Sequence, residues 1–257
     1  MKVCRGIVLS NDSVGEKYYH LKIHCPEIAQ EVKEGQIIHV RCTEGLDPLL
    51  RRPFSIYRFN PEKGEIELLY ILKGKGTELM RRMQKGDAID LLGPGGNFYQ
   101  IDPNAEGIAV IGRGVGIASI VSLAEKARKE GRHVTAVLSA KTELLIFADD
   151  FLKGIGCDVH VLSDEKGTSD VENVEKILTE SIETKKVKQL FTCGSNRIAR
   201  LTKELGRRYG LSAFVSLEEH MACGIGVCHG CVCQTRDGYK TICKDGPIFD
   251  VNEVIMP

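Results

Sequence analysis

Hydrophobic and polar positions alternate in short runs through the first hundred residues. Val3–Leu9, Tyr18–His24, Gln36–Arg41, Arg52–Tyr57, Glu65–Lys73 and Ala88–Leu92 are rich in β-branched and aromatic residues. Turn signals at Asn11-Asp12, Glu34-Gly35, Asn60-Pro61 and Lys63-Gly64 separate most of them. Short strands at this spacing predict a β-barrel. One helical segment interrupts, Thr77–Met83, directly after Gly74-Lys75-Gly76. From Gly107 the period changes. Apolar runs at Ile108–Ile111, Val134–Leu138, Val159–Leu162 and Val187–Phe191 recur about every 25 residues, with helical segments between them. The first such helix carries Ile117, Ile120, Val121, Ala124 and Ala127 on one face. Strands alternating with helices predict a parallel sheet in a doubly wound α/β domain. The chain thus divides into a barrel over residues 1–100, an α/β domain over 101–217, and a C-terminal region over 218–257.

Composition narrows the class. At 257 residues the chain is long enough for two domains with cores of their own. Thirty-five basic and thirty-five acidic residues give a net charge of +0, so neither nucleic acid nor an anionic membrane surface is an expected partner. No run of 18 apolar residues occurs, and the N-terminus lacks the apolar stretch of a secretory signal. Of ten cysteines, Cys4, Cys25, Cys42, Cys157 and Cys193 lie mostly in apolar runs, which fits a reducing cytoplasm.

The remaining cysteines are patterned. Cys223, Cys228, Cys231 and Cys243 follow the spacing C-x4-C-x2-C-x11-C, that of plant-type ligands to a [2Fe–2S] cluster. Three thiolates on one loop converge only if the loop curls around the cluster. Gly224, Gly226 and Gly230 give the backbone that freedom and expose N–H groups to the sulfurs. Cys243 closes the cage from beyond a hairpin turn at Asp237-Gly238. Four cysteines with one C-x2-C pair also suit structural zinc, although zinc loops rarely need three glycines between ligands. Cys233, two residues past Cys231, points away along a strand and reads as packing.

Two barrel features carry further chemistry. In Arg52-Pro53-Phe54-Ser55, an arginine fixed at a strand start can grip a diphosphate bidentately. Ser55 offers a hydroxyl to a polar ring edge, and a neighbouring aromatic can cover an isoalloxazine. Gly76-Thr77 opens a helix whose free N–H groups make an anion site. In the α/β domain, Gly112-Arg113-Gly114-Val115-Gly116 forms a glycine-rich βα turn where a dinucleotide normally approaches. Thr192-Cys193-Gly194-Ser195 leads into another helix at the same sheet edge. Asp164-Glu165 after the third strand would repel a 2′-phosphate, whereas Lys141 after the second would attract one; the balance favours NAD over NADP.

A barrel with R-P-x-S, then G-T before a helix, then a glycine-rich α/β half resembles the ferredoxin–NADP reductase superfamily. Met221 to Cys233, followed by Ile242-Cys243-Lys244-Asp245-Gly246-Pro247-Ile248-Phe249, resembles the electron-transfer subunit of NAD-dependent dihydroorotate dehydrogenase, a family of pyrimidine biosynthesis. The resemblance covers nearly the whole chain. It implies that FAD contacts Arg52, Pro53, Phe54, Ser55, Leu69, Tyr70, Ile71, Gly76 and Thr77, that NAD is the electron donor, and that Gly112, Arg113, Gly114 and Gly116 form its site. It implies the four cysteines above as cluster ligands, no catalytic residue of the final reaction on this chain, and a flavin-containing catalytic subunit as partner in a heterotetramer. The same module serving a sulfide- or ferredoxin-linked NAD(P) oxidoreductase, or a non-catalytic zinc-bound interaction protein, are the alternatives. Two departures fall in the nucleotide half. The family's turn is usually G-G-G-I-G followed by a proline, where this chain has Arg113 and then Ala118-Ser119. Its later C-G-P is here Cys193-Gly194-Ser195.

Overall fold

A computed structural model describes residues 1–255; the last two residues of the C-terminal region expected above lie outside the described residues. The chain begins with β1 (Lys2–Ser13), β2 (Tyr18–His24), α1 (Pro26–Ala29), β3 (Ile37–Arg41), β4 (Arg52–Ser55), β5 (Arg58–Asn60), β6 (Glu65–Ile71), α2 (Lys75–Met80) and β7 (Ala88–Gly95). Their seven strands form one antiparallel sheet in the order β4-β3-β7-β1-β2-β6-β5. β4 and β5 stand at opposite ends of that order, yet only Ile56 and Tyr57 separate them along the chain. The two edges must therefore meet, and the sheet curls into a barrel. Ile56 N–H donates to the Gln36 carbonyl at 3.1 Å and Tyr57 N–H to the Glu67 carbonyl at 2.9 Å, stitching the crossing in place. Val8, Leu21, Ile38, Val40, Ile66, Leu68 and Leu91 fill the interior.

This crossing explains two differences from the sequence pattern. The apolar run Arg52–Tyr57 ends as a strand at Ser55 because the chain leaves one edge for the other there. β5 was hidden because its three residues carry one apolar side chain, Phe59, between turn signals.

The second half comprises β8 (Gly107–Arg113), α3 (Ile117–Lys129), β9 (His133–Ala140), α4 (Asp149–Gly154), β10 (Asp158–Ser163), α5 (Val171–Thr184), β11 (Val187–Cys193), α6 (Asn196–Tyr209) and β12 (Ser212–Ser216). The hairpin β13 (Val232–Thr235) and β14 (Gly238–Thr241) follows, then β15 (Ile248–Asp250). The large sheet runs β10-β9-β8-β11-β12-β15, parallel except for the last strand. β12 is a fifth parallel strand beyond the four that periodicity marks; only Ala213, Phe214 and Val215 of its five residues are apolar. Connections run one way from β8 to β9 and the other way to β11, so the winding reverses between β8 and β11. Ligands of such sheets bind in the crevice at that reversal, above the carboxyl ends of the strands.

Residues 217–247 are an excursion between two neighbouring strands, since Ser216 of β12 pairs with Ile248 of β15. Both ends of the excursion are thereby pinned to the large sheet. Its hairpin closes at Thr235↔Gly238 around Arg236-Asp237, one residue earlier than the turn signal suggests. A shared apolar core joins the halves: Tyr18, Tyr57, Leu69 and Tyr99 of the barrel pack with Ile117, Val121 and Phe191. Arg58 Nε meets Glu125 at 3.1 Å across this boundary, and Asn97 Nδ2 donates to the Ile248 carbonyl at 2.7 Å.

Candidate functional site

A cavity of about 420 Å³ opens where barrel, α/β domain and excursion meet. Its walls include every barrel residue singled out above: Arg52, Pro53, Phe54 and Ser55 of β4, Leu69, Tyr70 and Ile71 of β6, and Gly76 and Thr77 of α2. Topology brings them together, because β4 and β6 approach where the barrel closes. A Cβ added at Gly76 would lie 3.2 Å from Cγ and 3.3 Å from Nε of Arg52, so the arginine and the helix start adjoin. Thr77 Oγ1 accepts from the amides of Lys73 at 2.9 Å and Gly74 at 3.2 Å. That leaves the first-turn amides of the helix, which no i−4 carbonyl can reach, beside the arginine. Arg52 itself is steadied by Nη1 donating to the Leu50 carbonyl at 2.8 Å. Tyr70 differs from the others: its hydroxyl donates to Asn11 Oδ1 at 3.0 Å and its ring packs edge-on against Phe54. Its side chain belongs to the barrel core. The opposite wall comes from Val115 of the glycine-rich turn, from Ala118, and from residues 216–221, of which 216–219 belong to no pattern singled out in the sequence. A cationic end with free amides and a body walled by Ile37, Leu69, Ile71 and Val115 suits a diphosphate joined to a large flat ring, and the cavity size is that of a cofactor site.

A second groove of about 750 Å³ lies against the first and shares Ser216, Leu217, Glu218 and Glu219 with it. It sits at the winding reversal, lined by Arg113 at the end of β8 and by Gly194, Ser195, Asn196 and Arg197 at the start of α6. The four residues of the glycine-rich turn part company here. Arg113 lines the groove. A Cβ on Gly112 would lie 2.9 Å from Ile117 Cα, and one on Gly116 would lie 2.8 Å from the Cys193 carbonyl carbon, so these two glycines permit close backbone packing. Gly114, at φ +55°, has only the Tyr18 hydroxyl near an added Cβ, at 3.9 Å. Arg113 does not hang free in solvent: Nη2 grips Asp164 at 2.8 and 3.1 Å. The arginine holds the Asp164 carboxyl below the usual carboxylate range, with the Ser169 hydroxyl assisting. Asp164 is thereby paired with a cation, and the two charges offset each other. Glu218 lines both cavities and is exposed within them. Loss of hydration there pushes its carboxyl up, opposed by Lys73.

The cysteines occupy the excursion beyond Met221. Each of the four sulfurs accepts one backbone N–H: Cys223 from Ile225 at 3.4 Å, Cys228 from Gly230 at 3.4 Å, Cys231 from Cys243 at 3.5 Å, and Cys243 from Gly226 at 3.1 Å. Positive φ at Gly224 (+71°) and Gly226 (+81°) turns those amides inward. Among the described residues no three His, Cys, Asp or Glu side chains gather about one point as a single metal ion requires. The thiols fall into two pairs instead. Backbone N–H of Ile225 draws the Cys223 thiol down to about 6, with Cys228 adding to the effect. Burial pushes the Cys243 thiol up to about 12, with Cys231 adding to that. Cys231 and Cys243, 2% and 1% exposed, are set in the core under the sheet, whereas Cys228 is exposed. Asp245 fixes the inner pair by accepting from Thr241 N–H at 2.7 Å and Thr241 Oγ1 at 2.8 Å. Two thiol pairs, amides on every sulfur and a half-buried position fit a two-iron cluster, whose bridging sulfides let ligands stand further apart than around one ion. Cys233 sits in β13, half-buried against the same core, its thiol raised by burial.

Comparisons with known proteins bear on the two ends of the chain and on its whole length. A family described as an oxidoreductase FAD-binding domain matches residues 6–99, and the iron–sulfur cluster binding domain of dihydroorotate dehydrogenase B matches residues 218–255. The electron transfer subunit of dihydroorotate dehydrogenase B (NAD(+)) from Bacillus caldolyticus is 32% identical over 98% of either chain. A solved structure of an NADH-dependent reduced ferredoxin–NADP oxidoreductase superposes with a TM-score of 0.84 at 28% identity, over 98% of this chain and 90% of that one. Phthalate dioxygenase reductase, at 16% identity and a TM-score of 0.65 over 91% of this chain and 87% of that one, shares the fold.

Proposed function

The chain belongs to the family of electron-transfer subunits of NAD-dependent dihydroorotate dehydrogenase B, and on that footing we propose that it takes electrons from NADH and delivers them through FAD and a [2Fe–2S] cluster to a catalytic partner subunit. The observation that carries this reading is continuity. The first cavity reaches from Arg52 to Met221, two residues before Cys223, and shares four residues with the groove at the winding reversal. Donor site, flavin site and cluster loop thus adjoin.

Bound FAD supplies exchange between a two-electron donor and one-electron carriers, and the cluster is such a carrier. The residues of this chain position and insulate them. Arg52 and the amides of Gly76 and Thr77 hold the diphosphate, while Leu69, Ile71 and Val115 exclude water from the ring. The start of α6 receives a nucleotide pyrophosphate, as helix starts do. Arg113, anchored by Asp164, stands at the rim where it reaches the same group. Cys223, Cys228, Cys231 and Cys243 ligate the cluster, the outer pair facing solvent.

That outward side is the docking face. Ile225 and Val227 on the cluster loop are 47% and 68% exposed, apolar contacts for a partner whose redox centre must come close. We assign as partner a flavin-containing catalytic subunit in a hetero-oligomer. Six free thiols outside the cluster set support a cytoplasmic setting, and among the described residues no helix is long and apolar enough to cross a membrane. A second reading keeps the cofactors and changes the partner: the 28% identical ferredoxin–NADP oxidoreductase superposes over nearly the whole chain. Affinity purification of the tagged chain from its native host separates the two. A dihydroorotate-oxidising flavoprotein is expected by mass spectrometry; a partner with no such activity overturns the first reading.

A further inference from the structure

Among the described residues, His39 Nε2 is one of four buried side-chain polar atoms without a hydrogen-bond partner, and the only nitrogen among them. The residue is 1% exposed in the middle of β3. Its neighbours Ile38 and Val40 point into the barrel, so His39 points out of it, on the face that carries Ile37. Ile37 lines the flavin cavity, as does Pro53, which pairs with His39 across the ladder. On its other side the ring lies against the cluster loop. A Cβ added at Gly224 would sit 2.7 Å from both Cε1 and Nε2 of His39 and 2.9 Å from Nδ1. The face of the imidazole, on the side of its two nitrogens, thus lies against the residue next to Cys223, and only glycine leaves room for it.

A buried donor without an acceptor is costly to keep. An apolar ring of similar size would fill the same space without that cost, so steric support of the loop does not account for an imidazole. Neutral imidazole carries one N–H, and no acceptor from the described residues meets Nε2. The cluster held by the loop is the acceptor that this place lacks. Resting on the function proposed above, we infer that His39 is a positioning residue whose Nε2–H donates a hydrogen bond to the sulfur of the cluster at the Cys223 side, tuning its reduction potential from a strand that also walls the flavin cavity. Hydrogen bonds to sulfur favour the more negatively charged, reduced cluster and raise its potential.

The test compares full-length chain, His39→Phe and His39→Gln, each loaded with cluster, by redox titration monitored through the EPR signal of the reduced centre. His39→Phe keeps a planar ring and removes the donor; His39→Gln restores an N–H. The expected result is a more negative midpoint potential in His39→Phe at unchanged iron content, with His39→Gln returning toward the parent value. Equal potentials in parent and His39→Phe overturn the inference, as does the same shift in both variants. Should His39→Phe not retain iron, pulsed EPR on chain carrying 15N-histidine in a His220→Gln, His229→Asn background decides. A weak histidine-nitrogen coupling is expected, and its absence overturns the inference. No reduced-cluster signal in the parent chain sinks the proposed function itself, and the role of His39 with it.

Discussion

Two glycine-rich segments, residues 112–116 and 223–231, look alike on the page and differ in what their glycines do. In the first, Gly112 and Gly116 let backbones touch: added Cβ atoms would lie 2.9 Å from Ile117 and 2.8 Å from Cys193. The chemistry falls to the intruder, Arg113, whose guanidinium grips Asp164 at the groove rim. In the second, Gly224 and Gly226 adopt positive φ and the loop's amides converge on sulfur, so glycine conformation builds the site directly. A glycine run therefore says that something comes close to the backbone. Only the intervening side chains say whether that is another strand or a ligand.

The comparison breaks most sharply at the inner thiols. Cys231→Ser or Cys243→Ser is expected to take iron and acid-labile sulfide from about two each per chain to near zero. Cys233→Ser is expected to leave both unchanged in the same assay. Next come the glycines themselves. Gly226→Ala places a Cβ 2.6 Å from Lys244 Cδ at a left-handed backbone position, a strain on the order of 1–3 kcal/mol confined to the loop. Cluster occupancy should fall while Tm stays near the parent value. Gly116→Ala overpacks the turn after β8 against the end of β11, costing about 1–3 kcal/mol. The pattern should invert there, with Tm falling and the iron-to-protein ratio of the folded fraction preserved.

Smaller effects are expected at the intruder. Arg113→Gly removes a charge-assisted contact at the groove rim, and a roughly ten-fold weaker apparent affinity for NADH is expected from anaerobic stopped-flow reduction of the flavin. Reduction that accelerates in the variant would instead mean that the arginine blocks the groove. The least effect is on acid stability. Asp164 has a folded-state pKa depressed by Arg113, so the pair stabilises the fold above the unfolded value and the gain fades as pH falls through the folded one. The carboxyl is exposed, so Asp164→Asn should flatten the acid limb of a Tm-against-pH curve only slightly.

How much was legible beforehand follows the same division. The thiol spacing pointed to a cage; the fold carries those four thiols on one excursion, in two pairs, with one amide on each sulfur. Arg52 and Gly76 were singled out separately; that they adjoin depends on the barrel closing through Ile56-Tyr57, which no local pattern reveals. β5 and β12 escaped notice because each carries too few apolar residues to register as a run. Residues 216–219, on the far wall of the first cavity, precede the cysteine motif and carry none themselves; the pairing of β12 with β15 sets them there. Arg113 was visible as an oddity, but its partner lies 51 positions away at the end of a different strand. His39 sat unmarked inside a strand, since nothing in the sequence shows that its neighbour in space is Gly224.

The central claim is that NADH, flavin and cluster are joined within this one chain. It is tested most directly by mixing the purified anaerobic protein with NADH and following flavin absorbance and the EPR signal of the cluster in the same sample. The account predicts bleaching of the flavin together with a reduced [2Fe–2S] signal, both present without any partner protein. Flavin reduction with no cluster signal, or no reduction by NADH at all, would contradict it.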